Sequence, residues 1–341
     1  MAKGLLTIQG TLDLVQFWPV GESDADTTKL LIAVAAGAIR FQPKKSAPAQ
    51  ATTAFDGAWL KTVGGRKTVI DAKGRVTVRL QGIDAPELHY APAPVGKKPA
   101  VTDAMRAALK AVNHKYRQHY GQSATLALLT MLKKGGAATL PCTFQTAVDH
   151  PNDVCDKYAR VVGDVVVDVN GKKVNINRWV LEQGWAVPSF YNSMSAAEIT
   201  ALQKLAAKAQ GAGKGIWGKY QSKFGKFDFK LQYVSGKKSA GFAVGGDAGT
   251  LIMPKLFRRQ TTWACYKEAG ITALSYAQYL AGLKERFYET ADYLANGDMA
   301  MWQQMAKKVK AGEFLLGPGD MVNEEAASTL YSAAGAPVTA W

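Results

Sequence analysis

The chain has 341 residues, enough for two ordinary domains or for one domain with large insertions. Its 42 Lys and Arg residues exceed its 27 Asp and Glu residues, and a net charge of +15 fits a polyanionic partner such as nucleic acid and a merely soluble basic protein about equally well. The sequence has no run of 18 apolar residues, which argues against a membrane-spanning helix.

The beginning of the chain and its cysteines bear on the cellular compartment. The first 15 residues contain no continuous apolar segment and no small-residue cleavage site, which predicts a cytoplasmic protein; a trimmed exported or periplasmic form would look the same. Three cysteines are too few for a disulfide scaffold and fit no zinc motif. Cys142 and Cys155 bracket a predicted hairpin loop, where either a disulfide or two reduced, buried thiols would fit.

The first part of the chain shows the period-two pattern of β-strands. Strands are predicted over residues 5–19 and 29–35, on either side of the polar turn GESDADTT, and again over 76–83. Residues 42–75 combine a loop with a small ribbon that has glycine turns.

Helical spacing begins near residue 103. One helix is predicted over 103–120, with Met105, Leu109 and Val112 on its apolar face, and a second over 122–135. The opposite face of the first helix carries the basic residues Arg106, Lys110, Lys115 and Arg117.

The next segment completes a recognisable order of elements. Strands are predicted over 138–144 and 159–169, and Ser195, with Glu198 three residues later, caps a helix that runs to Gly211. Five short strands with a helix between the third and the fourth are typical of the OB-fold barrel, which often binds nucleic acid or sugars.

The remaining third of the chain is predicted to be a separate part. Residues 218–232 look like a linker with a boundary near 222, and 271–295 have the pattern of one amphipathic helix. The sequence therefore predicts an α+β protein. A five-stranded OB-fold barrel with helices occupies 1–222, and a mainly helical C-terminal extension occupies 223–341.

Acids and arginines gather in three separated segments. An Asp-x-Asp-Thr turn contains Asp26, the segment RLQGIDAPE supplies Arg79, Asp84 and Glu87, and DKYAR supplies Arg160. Hydrolysis of a phosphodiester builds negative charge on phosphate oxygens, which guanidiniums bind bidentately and a carboxylate-bound hard cation neutralises. A further carboxylate can orient or deprotonate the attacking water. These residue types therefore suffice for metal-assisted phosphodiester hydrolysis.

Each segment alone has a simpler interpretation. An Asp-x-Asp-Thr turn is more often a cap or an Asx-turn than a metal site, and the turn over 84–87 would equally well end a strand. Arg79 could merely face solvent, and Arg160 could pair with Asp156 or Asp164. The combination of the three segments, in this order, is what favours a catalytic site.

In combination, the segments resemble the staphylococcal nuclease (thermonuclease) family over about residues 5–220. The family's arginine, followed five residues later by aspartate and then by threonine or alanine, proline and glutamate, is matched by RLQGIDAPE. Its Asp-Gly-Asp-Thr turn is matched by DADT at 24–27, and its Asp-Lys/Arg-Tyr-Gly-Arg motif by DKYAR at 156–160. VLEQGW and GKGIW match two further segments of the family in part.

The chain also departs from this family. Ala159 replaces the usual glycine of the last motif. Insertions at about 37–73 and 91–118 are foreign to the small members of the family, and the second follows Glu87 directly, where its basic helix is expected to flank the cleft.

The resemblance implies a calcium-dependent endonuclease that cleaves DNA and RNA and leaves 3′-phosphate ends. It implies calcium ligands at Asp26, Asp84 and the carbonyl of Ala85. It further implies that Glu87 is the general base or the water-positioning group, and that Arg79 and Arg160 bind the scissile phosphate.

Substrate contacts are expected from two sets of residues. Tyr158 occupies the position where the family has a tyrosine near the nucleotide, and Phe190 and Tyr191 loosely match its nucleotide-stacking tyrosines. Three residues of the insertion helix are expected to hold the phosphate backbone: Arg106, Lys110 and Arg117. DNA and RNA are the expected partners, with no membrane and no identifiable protein partner. The alternatives are a non-catalytic nucleic-acid-binding OB-fold scaffold, or an OB-fold module for a protein partner with the charges as surface ion pairs.

Overall fold

The computed structural model describes residues 3–15, 23–33, 37–62, 64–96, 99–233, 249–326 and 328–341. The chain divides into two compact units. The first unit comprises Met1–Gln81, Ala127–Val180 and Glu325–Trp341, and the second comprises Gly82–Leu126 and Leu181–Glu324. The two domains expected from the sequence, residues 1–222 and 223–341, stay a prediction.

The regular elements are as follows. The strands are β1 Gly4–Asp13, β2 Thr27–Ile32, β3 Ile39–Gln42, β4 Gln50–Ala51, β5 Trp59–Thr62, β6 Gly65–Thr68, β7 Arg75–Leu80, β8 Ile83–Asp84, β9 Thr139–Val148, β10 Val161–Val169, β11 Lys172–Asn175, β12 Val187–Pro188, β13 Phe190–Tyr191, β14 Arg286–Glu289, β15 Trp302–Gln304, β16 Val309–Lys310, β17 Glu313–Phe314, β18 Met321–Asn323 and β19 Leu330–Tyr331. The helices are α1 Asp103–Val112, α2 Gly121–Leu132, α3 Ile176–Glu182, α4 Ala196–Gly211, α5 Pro254–Glu268, α6 Tyr276–Leu283 and α7 Thr290–Asn296.

The first unit contains a closed five-stranded barrel. Strands β1, β2 and β7 pair antiparallel in that order, β7 pairs parallel with β10, β10 pairs antiparallel with β9, and β9 returns to β1. This order is that of the OB fold, so the predicted α+β protein with an OB-fold barrel is confirmed.

Alternation of side chains explains why these strands close. In β1 every second residue is buried, and Leu6, Ile8 and Leu12 are completely inaccessible to solvent. Phe144 of β9 is equally buried, and truncation of such a phenylalanine typically costs about 3–5 kcal/mol. Gly163 of β10 is required sterically, because a Cβ atom there would lie 2.5 Å from the carbonyl oxygen of Gln145.

The insertion over 37–73 contributes further strands to the first unit. Strands β3 and β4 extend the barrel sheet beside β1. Strands β5 and β6 form a ribbon that is completed by β19, so that Tyr331 pairs with Trp59. The ring of Trp341 stacks on that of Phe41 with the ring centroids 4.4 Å apart. The first unit therefore combines residues from widely separated parts of the sequence.

The second unit is built around α5 and a small mixed sheet. Strand β18 lies between β13, which runs parallel to it, and β14, which runs antiparallel and also pairs with β15. Leu256 and Phe257 of α5, Tyr116, Phe287 and Met321 belong to one apolar core. None of the described helices is both long and apolar enough to cross a lipid bilayer.

Most predicted barrel elements are confirmed, with shifted bounds. Residues 16–19 and 34–35 of the first two predicted strands lie outside the described residues. The predicted strand over 76–83 is split into β7 and β8 by a turn in which Gly82 has φ +77°. Helix α4 has the expected capping box between Ser195 and Glu198.

Two predicted helices are too long. The helix expected over 103–120 ends at Val112, because the segment that follows is extended and Tyr116 bridges Tyr90 and Gln232. The helix expected over 271–295 is interrupted after α6, where Lys284 adopts the left-handed conformation with φ +53°, and β14 follows. In both cases burial of an aromatic residue in an extended segment, Tyr116 or Phe287, overrides helical spacing.

The predicted linker over 218–232 is also different in the structure. Phe227 is buried in the core of the second unit, where its ring lies 5.1 Å from that of Tyr116 and 6.0 Å from that of Phe257. The lysines between these aromatic residues gave the segment the composition of a linker, although its phenylalanines pack into the core.

The three cysteines are free and buried, so a disulfide between Cys142 and Cys155 is not formed. Burial raises the pKa of the Cys142 thiol to about 12 and that of Cys265 to about 11, and it also raises the pKa of Cys155. Of the two alternatives that the sequence left open, the structure has reduced, buried thiols.

We therefore expect the thiols of the native protein to react slowly with iodoacetamide at pH 8. The thiolate is the reactive form, and both burial and the raised pKa values suppress it. Mass spectrometry should show little alkylation of the native protein and three alkylated cysteines after denaturation without reductant. Fewer than three reactive thiols in the denatured, unreduced protein would contradict free cysteines.

The turn before β10 has a strained residue. Ala159 is 1% exposed and has φ +61°, the left-handed region that favours glycine. Its N–H donates to the carbonyl oxygen of Asp156 at 2.9 Å, which closes the turn. The family's glycine at this position therefore has a conformational reason.

Replacement of Ala159 by glycine should stabilise the protein by about 1 kcal/mol, because it relieves the left-handed strain. Urea unfolding of the two proteins measures this difference. Ala58 is equally buried in the same unit without a positive φ, so Ala58→Gly is the control and should destabilise. A loss of stability in Ala159→Gly would contradict the strain.

Candidate functional site

The barrel presents an aspartate and an arginine on adjacent strands. Asp26 ends the turn before β2, and Arg79 lies on the outward side of β7, where Thr27 is its partner in the sheet register. The backbone carbonyl of Asp26 accepts from the N–H of Leu80 at 2.8 Å, and its carboxylate forms an ion pair with Arg79. Asp26 is 3% exposed, and Arg79 does not merely face solvent.

The second barrel arginine is fixed by the turn that precedes it. The Asp156 carboxylate accepts from the backbone N–H groups of Tyr158 and Arg160, at 2.9 and 3.0 Å. The same carboxylate accepts from Nε of Arg160 at 2.7 Å. The alternative that Arg160 pairs with Asp156 is therefore correct, and this pair gives the guanidinium a defined orientation.

Thr27 connects the two arginines. Its hydroxyl donates to the Asp26 carboxylate at 3.0 Å and accepts from the Arg160 guanidinium at 3.2 Å. We call Asp26, Thr27, Arg79 and Arg160 the barrel group. It holds two guanidiniums whose planar N–H groups suit a phosphate group.

Lys67 lies next to the barrel group. The sequence pattern did not indicate this position for Lys67. Strand β6 places Lys67 so that its Nζ donates to the carbonyl oxygen of Tyr158 at 3.0 Å. Burial, and the nearby charges of Arg160 and Lys29, lower the pKa of Lys67, while Asp156 opposes this. The insertion over 37–73 thus brings an additional cation to this end of the barrel.

The second unit contains the other predicted acids. Asp84 ends β8, which pairs with β12 so that Asp84 lies opposite Val187. Asp84 is 2% exposed and Glu87 is 7% exposed, and we call these two residues the acid pair. Two buried carboxylates remain charged only if cations and hydrogen-bond donors compensate them.

Arg258 of α5 supplies that compensation. Its two terminal nitrogens donate to the two carboxylate oxygens of Asp84, each at 3.0 Å, and it also forms an ion pair with Glu87. Burial opposes the charge of Arg258, but attraction to Asp84 and Glu87 outweighs it and holds the pKa of the guanidinium above its ordinary value. Loss of one partner of such a buried pair typically costs about 3–5 kcal/mol.

Sequence reasoning missed Arg258 for a definable reason. Helix α5 carries three cations close together, and each has a polar partner. Arg259 pairs with Glu285, and Lys255 donates to Asn323 at 2.7 Å. The sequence shows only a basic cluster in a helix that begins with proline. Nothing in the spacing of this cluster indicates that Arg258 pairs with Asp84, 174 residues away.

Gln118 holds the backbone of Glu87. The N–H of Gln118 donates to the Glu87 carbonyl at 2.7 Å, and its side-chain oxygen accepts from the Glu87 N–H at 3.3 Å. Its side-chain nitrogen donates to the carbonyl of Ile252 at 2.6 Å. Gln118 closes the insertion over 91–118, and its contacts fix the Glu87 backbone in the second unit.

The residues of the acid pair fit a hard divalent cation chemically. Asp84, Ala85 and Glu87 offer two buried carboxylates and a carbonyl within four consecutive residues, and oxygen donors of this kind suit calcium. The acid pair already binds a cation, the Arg258 guanidinium. In the part of the chain that is described, no cluster of three or more His, Cys, Asp or Glu side chains is arranged for a metal ion.

The predicted nucleotide contacts differ in accessibility. Tyr158 is 48% exposed, with the Arg160 guanidinium carbon 5.4 Å from its ring centroid. Tyr191 is half-buried, and Phe190 is completely buried beside β18. A base cannot stack on the ring of Phe190 in this conformation, so that predicted contact does not fit its position.

The predicted basic helix is only partly present. Arg106 and Lys110 lie on α1, whereas Arg117 lies in the extended segment beyond it, where its N–H donates to the carbonyl of Leu231. Arg106 is held by Asp103 and by the carbonyl of Val101, and Lys110 is exposed. Leu109 of the expected apolar face is buried. The three basic residues therefore do not form one helical face.

Comparison with known proteins gives one result for this site. Residues 77–219 match the model of the family described as staphylococcal nuclease homologue, a range that includes Arg79, the acid pair and Arg160 but neither Asp26 nor Arg258. No curated protein matches the chain. Most members of the family are nucleases, generally dependent on calcium, so the match implies binding of nucleic acid. The chain is therefore similar, over residues 77–219, to the staphylococcal nuclease family.

Proposed function

We propose that this protein is a calcium-dependent endonuclease that hydrolyses phosphodiester bonds of DNA and RNA and leaves 3′-phosphate ends. The observation that carries the proposal is the burial of Asp26, Asp84 and Glu87, each paired with an arginine. Buried carboxylates are costly to a fold and concentrate at functional sites. The net charge of +15 supports a polyanionic substrate.

Arg79 and Arg160 bind the phosphate in this proposal. Both guanidiniums are held by acids of the first unit, Asp26 and Asp156, and are therefore oriented before the substrate arrives. They stabilise the negative charge that grows on the phosphate oxygens as water attacks. Exposed Tyr158 beside Arg160 offers a ring to an adjacent base.

Glu87 accepts the proton of the attacking water. The oxygen of water bonds to phosphorus and the P–O5′ bond breaks, so that one product ends in a 3′-phosphate and the other in a 5′-hydroxyl. Arg160 stabilises the leaving oxygen until it takes up a proton from solvent. Gln118 positions Glu87 through its backbone.

Asp84 and the carbonyl of Ala85 would hold the calcium ion. Calcium, when bound, neutralises phosphate charge and polarises water. In the structure the Arg258 guanidinium is bound to the Asp84 carboxylate. Asp84 must therefore exchange this guanidinium for calcium when the ion binds.

A second candidate function is a nucleic-acid-binding OB-fold module without catalysis. The observation in its favour is the same Arg258, which satisfies both carboxylates of the acid pair and would keep them in a purely structural role. In this case the chain would bind nucleic acid through the two barrel arginines, Arg79 and Arg160. Binding would then occur under any ionic conditions in which these arginines can contact phosphate.

Cleavage of plasmid DNA and of single-stranded RNA distinguishes the two functions. We expect cleavage with calcium, loss of cleavage with chelator and weaker cleavage with magnesium, because a loose set of oxygen ligands suits calcium better. Primer extension from the products should require prior phosphatase treatment, as 3′-phosphate ends do. Binding without cleavage would support the second candidate, and full cleavage in chelator would contradict the role of calcium.

Replacement of either barrel arginine by alanine should reduce the rate by roughly 10²–10³, the cost of one preorganised transition-state donor. Lysine at position 79 or 160 should restore little, since an ammonium group cannot reproduce the bidentate fork. Single-turnover cleavage measures the rates, and circular dichroism verifies the fold. The control is Arg75→Ala, because Arg75 lies on the same strand, β7, and pairs with Asp71. Normal turnover in a folded alanine variant would refute the assignment.

A further inference from the structure

The acid pair contacts a residue outside the family match. Asp84 and Glu87 lie within residues 77–219, whereas Arg258 lies on α5 in the last third of the chain. The guanidinium donates to both Asp84 oxygens at 3.0 Å and pairs with Glu87. One side chain thus contacts both members of the acid pair.

Helix α5 is held in place by its own packing. Leu256 and Phe257 are buried in the apolar core immediately before Arg258, and Thr261 is completely buried after it. One turn along the helix, the Thr262 hydroxyl bonds to that of Tyr90 at 2.9 Å. The position from which Arg258 reaches the acid pair is therefore fixed by residues that do not contact the acids.

We propose that Arg258 and calcium compete for Asp84, so that Arg258, which also pairs with Glu87, determines how tightly this site binds a divalent cation. This inference rests on the calcium site of the proposed function. It also assigns a role to α5, for which the family resemblance offers none.

Competition follows from the geometry of the hydrogen bonds. The Asp84 carboxylate accepts one hydrogen bond from the guanidinium on each of its oxygens, so calcium cannot bind along the same two lone-pair directions while Arg258 is in place. Two cations against one acid pair would also repel each other. The Arg258 side chain is 23% exposed, so solvent reaches the guanidinium although the acids that it pairs with are buried.

The size of the effect depends on how often Arg258 leaves the acid pair. A ligand that binds only the open form has an apparent Kd equal to its intrinsic Kd divided by the open fraction. An open fraction of about 1–10% therefore weakens calcium binding about 10- to 100-fold. Removal of Arg258 removes this penalty.

Calcium titration by isothermal calorimetry on the full chain tests the proposal. We expect Arg258→Ala to bind calcium at least about tenfold more tightly than the wild type. Because two buried acids then lose the Arg258 guanidinium, calcium should also raise the Tm of Arg258→Ala more than that of the wild type. The double variant Asp84→Asn, Arg258→Ala should lose the gain in both measurements.

Arg259→Ala is the matched control. Arg259 is the next residue of the same helix and pairs with Glu285 instead of the acid pair, so its removal should leave the calcium affinity unchanged. If Arg258→Ala does not fold, Arg258→Lys keeps a charge but not the planar fork, and its calcium affinity should lie above that of the wild type.

The outcomes separate this proposal from the proposed function. Equal calcium affinity in the wild type and the folded Arg258 variants, a gain that persists without Asp84, or no calcium binding in any variant would overturn the competition. The nuclease assay is read independently: calcium-dependent cleavage with unaltered calcium affinity in Arg258→Ala would leave the proposed function standing and refute only the role of Arg258.

Discussion

The cost of burying a charged carboxylate governs the candidate site. Asp26, Asp84 and Glu87 are all less than a tenth exposed, and an uncompensated carboxylate in such surroundings would lose its charge. The chain meets this cost with guanidiniums from two different origins. Arg79 is a neighbour in the barrel sheet, whereas Arg258 comes from a helix that the family match does not include. The orientations of the Arg79 and Arg258 side chains both reflect this need.

The sequence predicted the barrel elements well because the patterns that specify them lie within each element. Alternating apolar residues determine β1, β7 and β10, and the capping box determines the start of α4. Prediction from the sequence failed where tertiary packing overrides the local spacing of apolar residues. Tyr116 and Phe287 are buried in extended segments that carry helical patterns, and Phe227 is buried in a segment with the composition of a linker.

For the site, the sequence identified the charged residues but not all of their partners. Ion pairs between residues close in sequence can be predicted from the sequence. Asp156, for example, lies four residues before Arg160 and is one of its two candidate partners. The roles of Asp26, Arg79, Asp84, Glu87 and Arg160 stay predictions, carried by motif resemblance. Lys67 and Arg258 were missed because each belongs to a common kind of basic segment, and only the fold brings it to its neighbour. The side chain of Phe190 is completely buried, a position that does not fit the predicted stacking contact.

The pairing of β5 with β19 has a consequence for biosynthesis. Leu60 pairs with Leu330, and the indole of Trp59 donates to the carbonyl of Ser332, across 273 residues of sequence. At a synthesis rate of about 5–20 residues per second, this edge of β5 waits on the order of tens of seconds for its partner. An unpaired strand edge in that interval is open to pairing with other chains. A nascent chain on the ribosome therefore exposes this edge until residues 328–341 emerge, and that interval is when chaperone protection of β5 matters most.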